Sequence, residues 1–140
     1  MNSFRRALLS VAASLFFGRS ARGGNVESAS PVIDDLGAAP PMATIGTEWR
    51  LFTDTVMGGV SKATMTRETV AGRPAIRLRG DVSLENNGGF VQIALDFRPD
   101  GAALDAGAWR GIQLDVFGND EDYALALRTA DLTREAKAAT

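Results

Sequence analysis

From Trp49 onward, apolar and polar residues alternate with a period of two. Successive side chains of a β-strand point to opposite faces of the sheet, so this period predicts strands with one buried face. Short turn sequences separate the segments, and Val70–Arg73 predicts a hairpin. The chain therefore predicts an all-β domain, a β-sandwich or jelly roll. The alternating segments are residues 49–53, 63–67, 75–79, 91–97, 112–117 and 123–127.

Two glycine-rich blocks interrupt this alternation. Residues 54–61 read Asp-Thr-Val-Met-Gly-Gly-Val-Ser, and residues 80–90 read Gly-Asp-Val-Ser-Leu-Glu-Asn-Asn-Gly-Gly-Phe. Adjacent glycines let the backbone turn and approach another group closely, and here they stand beside hydrogen-bonding side chains. Both blocks are therefore candidate loops for binding a partner or ligand. The candidate residues are Asp54, Met57, Gly58, Gly59, Ser61, Glu85, Asn86, Asn87, Gly88 and Gly89.

Each block also has a purely structural interpretation. The first block is also typical of a bulge or tight loop, in which Asp54 and Ser61 hydrogen-bond the loop's own amides. The second is also typical of a turn, because Asn86 and Asn87 tolerate left-handed backbone conformations. The residues favour the structural interpretation for the first block and leave both interpretations open for the second.

Composition excludes several kinds of chemistry. Cysteine and histidine are absent, which excludes disulfides, a cysteine nucleophile, a Cys/His zinc site and a Ser-His-Asp triad. Residues 1–30 contain four arginines and one acid, so the remaining residues carry a net charge of −5. Such a domain is not predicted to bind nucleic acid. The acidic turn over residues 119–122 matches no calcium loop. We expect no enzyme activity, no metal and no cofactor.

The N-terminal region is predicted to lie outside the domain. Residues 1–24 fit either a targeting segment or a spurious extension, and their apolar stretch of 11 residues is too short to be a transmembrane helix. A genuine targeting segment would indicate a mitochondrial or exported protein, and a spurious one the bacterial cytoplasm. Residues 25–47 are predicted as a flexible linker with a short edge strand near 32–36.

The order of the motifs resembles one known family. Trp49-Arg-Leu, the two glycine blocks and Leu125-x-Leu-Arg-Thr129 are similar to the CIA30 family, the complex I intermediate-associated protein 30 domains. The resemblance covers about residues 33–134 and implies a galactose-binding-like jelly-roll fold. It also implies a non-catalytic, chaperone-like role in assembling respiratory complex I (NADH:ubiquinone oxidoreductase). Subunits or assembly intermediates of that complex would be the protein partners.

The C-terminus departs from the family pattern. After residue 134 the pattern normally continues with an aromatic-containing segment and further strands, whereas this chain has Glu-Ala-Lys-Ala-Ala-Thr. We therefore expect an incomplete β-sandwich over residues 48–134, lacking its last strands, and an aberrant tail over 135–140. The loss of strands would expose a hydrophobic edge and face.

Two alternative functions follow from the same residues. A carbohydrate-binding jelly-roll module would bind a glycan through the polar loop at Glu85–Asn87, with Trp49 or Trp109 stacking on a sugar ring. A glycoside hydrolase would pair Glu85 with Asp54 or Asp81, although nothing in the spacing shows the separation of the two carboxyl groups that this requires.

Overall fold

The computed structural model describes the backbone of residues 5–12 and the whole of residues 32–129. In these residues it contains six β-strands, two short 3-10 helices and no α-helix. All strand pairs are antiparallel, which confirms the prediction of an all-β protein and is consistent with a β-sandwich; the jelly-roll topology stays a prediction. The strands are β1 (Arg5–Ala12), β2 (Trp49–Thr53), β3 (Lys62–Val70), β4 (Arg73–Val82), β5 (Val91–Leu95) and β6 (Asp115–Phe117), and the 3-10 helices are Asp54–Met57 and Glu85–Asn87.

The strands form two sheets. One has the order β3-β4-β1-β6, and the other pairs β2 with β5. Strands β3 and β4 form the hairpin that the sequence predicts, in register from Lys62 opposite Asp81 to Val70 opposite Arg73. Its two turn residues, Ala71 and Gly72, both have positive φ (50° and 78°), the conformation that matches the twist of paired strands.

Strand β1 lies inside the four-stranded sheet. It pairs with β4 from Arg5 opposite Val82 to Val11 opposite Ile76, and its other edge pairs with β6. These residues belong to the segment that the sequence sets aside as a leader or extension. Residues 1–4 and 13–24 of that segment lie outside the described part of the chain, so its nature stays a prediction.

The hydrophobic core lies between the two sheets. Its buried residues come from β2, from β4 and from the segment that precedes β2. Trp49 belongs to this core and is only 9% exposed. The buried members are Ile33, Ala43, Trp49 and Ile76, and the half-buried side chains packed against them include Met65, Ile93, Leu95, Phe97, Trp109, Ile112 and Leu114.

The segment before β2 is packed. Where the sequence predicts a short edge strand near 32–36, Val32 forms an isolated β-bridge and residues 33–36 are not part of a strand. The fully buried carboxylate of Asp34 accepts a hydrogen bond from the Leu36 amide (2.9 Å), which bends the backbone there. The same carboxylate accepts the Trp49 indole N–H at 2.7 Å and lies 3.4 Å from the Arg67 guanidinium. These contacts hold the segment against β2 and β3.

The C-terminal part of the domain is less regular than its sequence pattern predicts. Residues 123–127 alternate but form no strand, and β6 covers only part of 112–117. Alternation predicts which residues share a face, whereas a strand must also pair with a neighbouring strand, and residues 123–127 belong to neither of the two described sheets. The predicted tail over 135–140 lies outside the described residues. In the described part of the chain, no helix is long and apolar enough to span a bilayer.

Candidate functional site

The first glycine block forms a tight loop directly after β2. Thr53 caps the 3-10 helix Asp54–Met57 by accepting a hydrogen bond from the Thr55 amide, and Gly58 ends the helix with a φ of 87°. The Gly59 amide then donates to the Asp54 carbonyl at 3.0 Å. The loop therefore folds back on Asp54, as the structural interpretation of this block expects.

The second glycine block forms another tight loop after β4. Asn86 and Asn87 have φ values of 55° and 57°, in the left-handed region that asparagine tolerates better than most residues. The Gly88 amide donates to the Glu85 carbonyl at 3.0 Å and closes the turn. Both asparagines therefore have the conformations that a purely structural role requires.

The carboxylate of Asp54 joins the two loops. It is fully buried and accepts hydrogen bonds from the Ser61 amide (2.9 Å), the Ser61 hydroxyl (2.5 Å) and the Gly89 amide (2.6 Å). The Ser61 hydroxyl oxygen in turn accepts the Ser83 amide at 2.9 Å. We call Asp54, Ser61, Ser83 and Gly89 the Asp54 clasp. The clasp fixes the position of one loop against the other.

Two of the candidate glycines are needed because the Asp54 carboxylate is so close. A Cβ atom on Gly59 would lie 2.3 Å from Asp54 Cγ, and one on Gly88 would lie 2.4 Å from Asp54 Oδ2. Contacts this short essentially do not occur between a Cβ and another heavy atom. One glycine from each block therefore leaves room for the carboxylate, and the group that both approach is a side chain of the same protein.

The clasp keeps the Asp54 carboxylate ionised. Burial raises the pKa of this carboxyl, but the hydrogen bonds from the Ser61 hydroxyl and from the Gly89 and Ser61 amides favour the charged form. Their combined effect is larger, and the pKa of Asp54 lies below its usual value of 3.8. Asp54 is therefore a charged acceptor for amides and not a proton donor at neutral pH.

Several large apolar side chains of the two loops are exposed, next to polar residues of the same loops. Val56 and Met57 are 70% and 67% exposed in the first loop, and Leu84 is 75% exposed in the second. The Asn86 side-chain amide donates to the Gly58 carbonyl at 3.2 Å and ties the loop tips together. We call Val56, Met57, Val60 and Leu84 the two-loop surface. Of these four residues, only Met57 is among the candidates taken from the sequence. Val56, Val60 and Leu84 could have been found as large apolar residues inside glycine- and asparagine-rich loops.

The candidate residues thus divide into two groups. Asp54, Gly58, Gly59, Ser61, Gly88 and Gly89 set the loop geometry, whereas Met57 and the three residues of the second 3-10 helix are exposed. The pairing of Glu85 with Asp54 in a glycosidase is not supported, because a fully buried carboxylate cannot reach a substrate. Trp49 donates its indole N–H to Asp34 within the core, so it offers no stacking platform for a sugar.

Further charged groups lie outside the loops. Arg77 on β4 forms an ion pair with Glu68 on β3 at 3.0 Å. Within residues 32–129, no group of three or more acidic side chains is arranged to hold a metal ion.

Comparison with known proteins gives one result. Residues 43–138 match the model of a family described as Complex I intermediate-associated protein 30 (CIA30). The match spans about two thirds of the chain and contains both loops of the Asp54 clasp. Searches of the curated proteins and of the solved structures found no match.

Proposed function

Because the chain belongs to the complex I intermediate-associated protein 30 (CIA30) family, we propose that it is a non-catalytic assembly factor for respiratory complex I, NADH:ubiquinone oxidoreductase. Its partner is an unassembled subunit or an assembly intermediate of that complex. The two-loop surface is the part of the molecule that contacts this partner.

The observation that carries this proposal is the contrast between the two sides of the loops. The polar groups of the clasp face inward and bond one another, while Val56, Met57 and Leu84 stand in solvent. The clasp joins the two loops that carry these side chains, and exposed apolar patches commonly mark sites of contact with another protein. Methionine is also enriched in the contact regions of such sites.

Rigidity of the loops supports the same function. Asp54 connects main-chain amides from both loops, and the Asp54 amide itself donates to the Phe90 carbonyl at 3.2 Å. A surface that is ordered before binding loses less conformational entropy when a partner docks. The glycine blocks therefore contribute to binding indirectly, because they hold the apolar residues in place.

Affinity capture tests this function. The tagged chain is mixed with membranes that are assembling respiratory complexes, and captured complex I subunits are quantified by mass spectrometry. A Met57→Ser/Leu84→Ser variant should capture roughly tenfold less, because removing two interface contacts of about 1 kcal/mol each lowers affinity by at least this factor.

The matched control is Leu125→Ser/Leu127→Ser. These leucines are 69% and 55% exposed, which is comparable to the exposure of Met57 and Leu84, but they lie outside both loops. The control should capture as much as the unaltered chain. Recovery of no complex I subunit by the unaltered chain would exclude this partner, and an equal loss in both variants would exclude the two-loop surface.

A further inference from the structure

Strand β1 lies between β4 and β6 in the four-stranded sheet, and we call the position that it occupies the slot. We propose that this slot is a strand-binding site for an extended segment of a partner protein, and that β1 is a resident occupant which such a segment replaces. This surface is separate from the two-loop surface and does not depend on the function proposed above.

Backbone pairing defines the slot. One edge of β4 pairs with β3, and residues Ile76–Val82 on its other edge pair with β1. Strand β6 pairs with β1 and with no other described strand. Removing β1 would leave seven β4 residues unpaired on the edge that faces away from β3. It would also leave all three residues of β6 without a paired strand among the described ones. Backbone N–H and C=O groups need hydrogen-bond partners, and such an open edge binds added strands.

The register gives the first chemical requirement for an occupant. Leu9 lies opposite Leu78, and Val11 lies opposite Ile76. Ile76 and Leu78 are buried in the folded chain, at 3% and 4% exposure. A replacing strand must therefore run antiparallel to β4 and carry apolar residues at the positions opposite these two.

The alternate positions give the second requirement. Leu8 lies opposite the exposed Arg79, so the resident strand has an uncharged residue there, whereas Arg77, opposite Ser10, already forms an ion pair with Glu68 on β3. Opposite charges at facing positions stabilise a strand pair, by a modest amount for each pair. We therefore infer that the preferred partner segment has an acidic residue at the position opposite Arg79. This residue would help the segment compete with the resident strand, which belongs to the same chain.

A peptide-binding experiment on the full chain tests the proposal. The probe is a fluorescent peptide with the sequence of residues 5–12 that carries Leu8→Glu. Two chain variants receive the same substitution at neighbouring positions, Leu9→Asp and Leu8→Asp. The first introduces a charge opposite buried Leu78, and the second places an acid opposite Arg79.

We expect opposite effects from the two variants. Leu9→Asp should weaken the resident strand, lower the Kd of the probe at least about tenfold and speed amide exchange in residues 76–82 by a similar factor. Added probe should restore protection there. Leu8→Asp should bind the probe no more tightly than the unaltered chain. Amides of β2, residues 49–53, should exchange alike in all three chains, which shows that the fold is retained.

Three results would overturn the proposal. They are unchanged exchange at residues 76–82 in Leu9→Asp, the same effect from both variants, and equal binding of a peptide with the probe's composition in scrambled order. If Leu9→Asp also speeds amide exchange in residues 49–53, the milder variants Leu9→Ser and Leu8→Ser are used instead. The proposal then requires faster exchange at residues 76–82 and tighter probe binding in Leu9→Ser than in Leu8→Ser.

Discussion

At the scale of single residues, Asp54 explains why the two motifs contain so many glycines. The sequence shows that the backbone approaches something closely at Gly59 and Gly88, and the structure identifies the group as one carboxylate. Sequence spacing could indicate the contact with Gly59, five residues away, because Asp54 and Ser61 flank the same loop. It could not indicate the contact with Gly88, which depends on how β4 and β5 place the second loop.

Substitution of Gly59 should therefore be costly. Gly59→Ala places a methyl group 2.3 Å from Asp54 Cγ, so the carboxylate or the loop must move. Forced overpacking of this kind costs about 3 kcal/mol at the upper end of its usual range. Urea unfolding followed by tryptophan fluorescence measures the loss.

Gly111→Ala is the matched control for this substitution. A Cβ at Gly111 meets no atom within 4 Å. The control should change the free energy of unfolding by less than about 1 kcal/mol, since open surface positions tolerate alanine well. Equal losses in the two variants would show that the clasp does not crowd Gly59.

The Asp54 carboxylate should also shape the acid stability of the domain. Its pKa is lower in the folded state than its usual value of 3.8, so the unfolded chain binds the proton more readily. The stability that it contributes is present above about pH 4 and is lost as the pH falls through the folded-state pKa. Asp54→Asn should lower the Tm at pH 7 by roughly 10 °C. The amide NH2 group of the new side chain is a donor, and it would face the donor group of Ser61 or Gly89 in place of an acceptor.

The diagnostic result is the slope with pH. Asp54→Asn should lose less stability than the unaltered chain between about pH 5 and pH 2. Asp100→Asn is the control. In the unaltered chain, the pKa of the Asp100 carboxyl is lowered to about 2, chiefly by a hydrogen bond from Arg98. That pair is exposed to solvent, so its removal should change the Tm at pH 7 little. Parallel pH profiles for Asp54→Asn and the unaltered chain would contradict a charged clasp.

At the scale of elements, alternation predicted β2, β3, β4 and β5 well because their apolar residues alternate with more polar ones, whether the partner strand is close along the chain, as for β3 and β4, or distant, as for β2 and β5. It failed for residues 123–127, where the same pattern lacks a ladder partner among the described residues. It also gave no indication of β1, since an apolar stretch of that composition fits a targeting segment equally well. Pairing between distant segments is a property of the fold and not of the local pattern.

Arg67 is the element-scale feature that sequence analysis missed. On β3 it occupies an inward position in line with Ala63 and Met65, and its side chain is 11% exposed. It donates to the Ala38 carbonyl at 2.6 Å and the Met42 carbonyl at 3.2 Å, in addition to its pairing with Asp34. A charged residue in an otherwise apolar strand face is the signal that could have indicated this contact.

Arg67→Met should therefore unfold the segment before β2 or weaken the whole domain. The substitution leaves the Asp34 carboxylate buried without its cation, which typically costs about 3–5 kcal/mol. Arg79→Met, on the exposed part of β4, should cost less than about 0.5 kcal/mol. Chemical denaturation of both variants makes the comparison; similar midpoints would mean that Arg67 does not anchor the segment.

At the scale of the whole molecule, the two sheets place the two loops side by side, and the loops present the two-loop surface. The motif order was sufficient to predict the family, because both blocks and the strands that carry them lie within the matched residues. It was not sufficient to predict which loop residues face outward. That division depends on the clasp, which buries Asp54, Ser61 and Ser83, while Val56, Met57 and Leu84 stay exposed.

Site-specific photo-crosslinking is the most direct test of the central claim that the two-loop surface contacts a partner protein. A photoreactive phenylalanine analogue replaces Met57 in one chain and Leu125, the matched exposed residue, in another. Irradiation in respiring cells or membranes is followed by mass spectrometry of the crosslinked products. We expect position 57 to crosslink to subunits of assembling NADH:ubiquinone oxidoreductase at least about tenfold more than position 125. No protein adduct at position 57, or equal adducts at both positions, would contradict the claim.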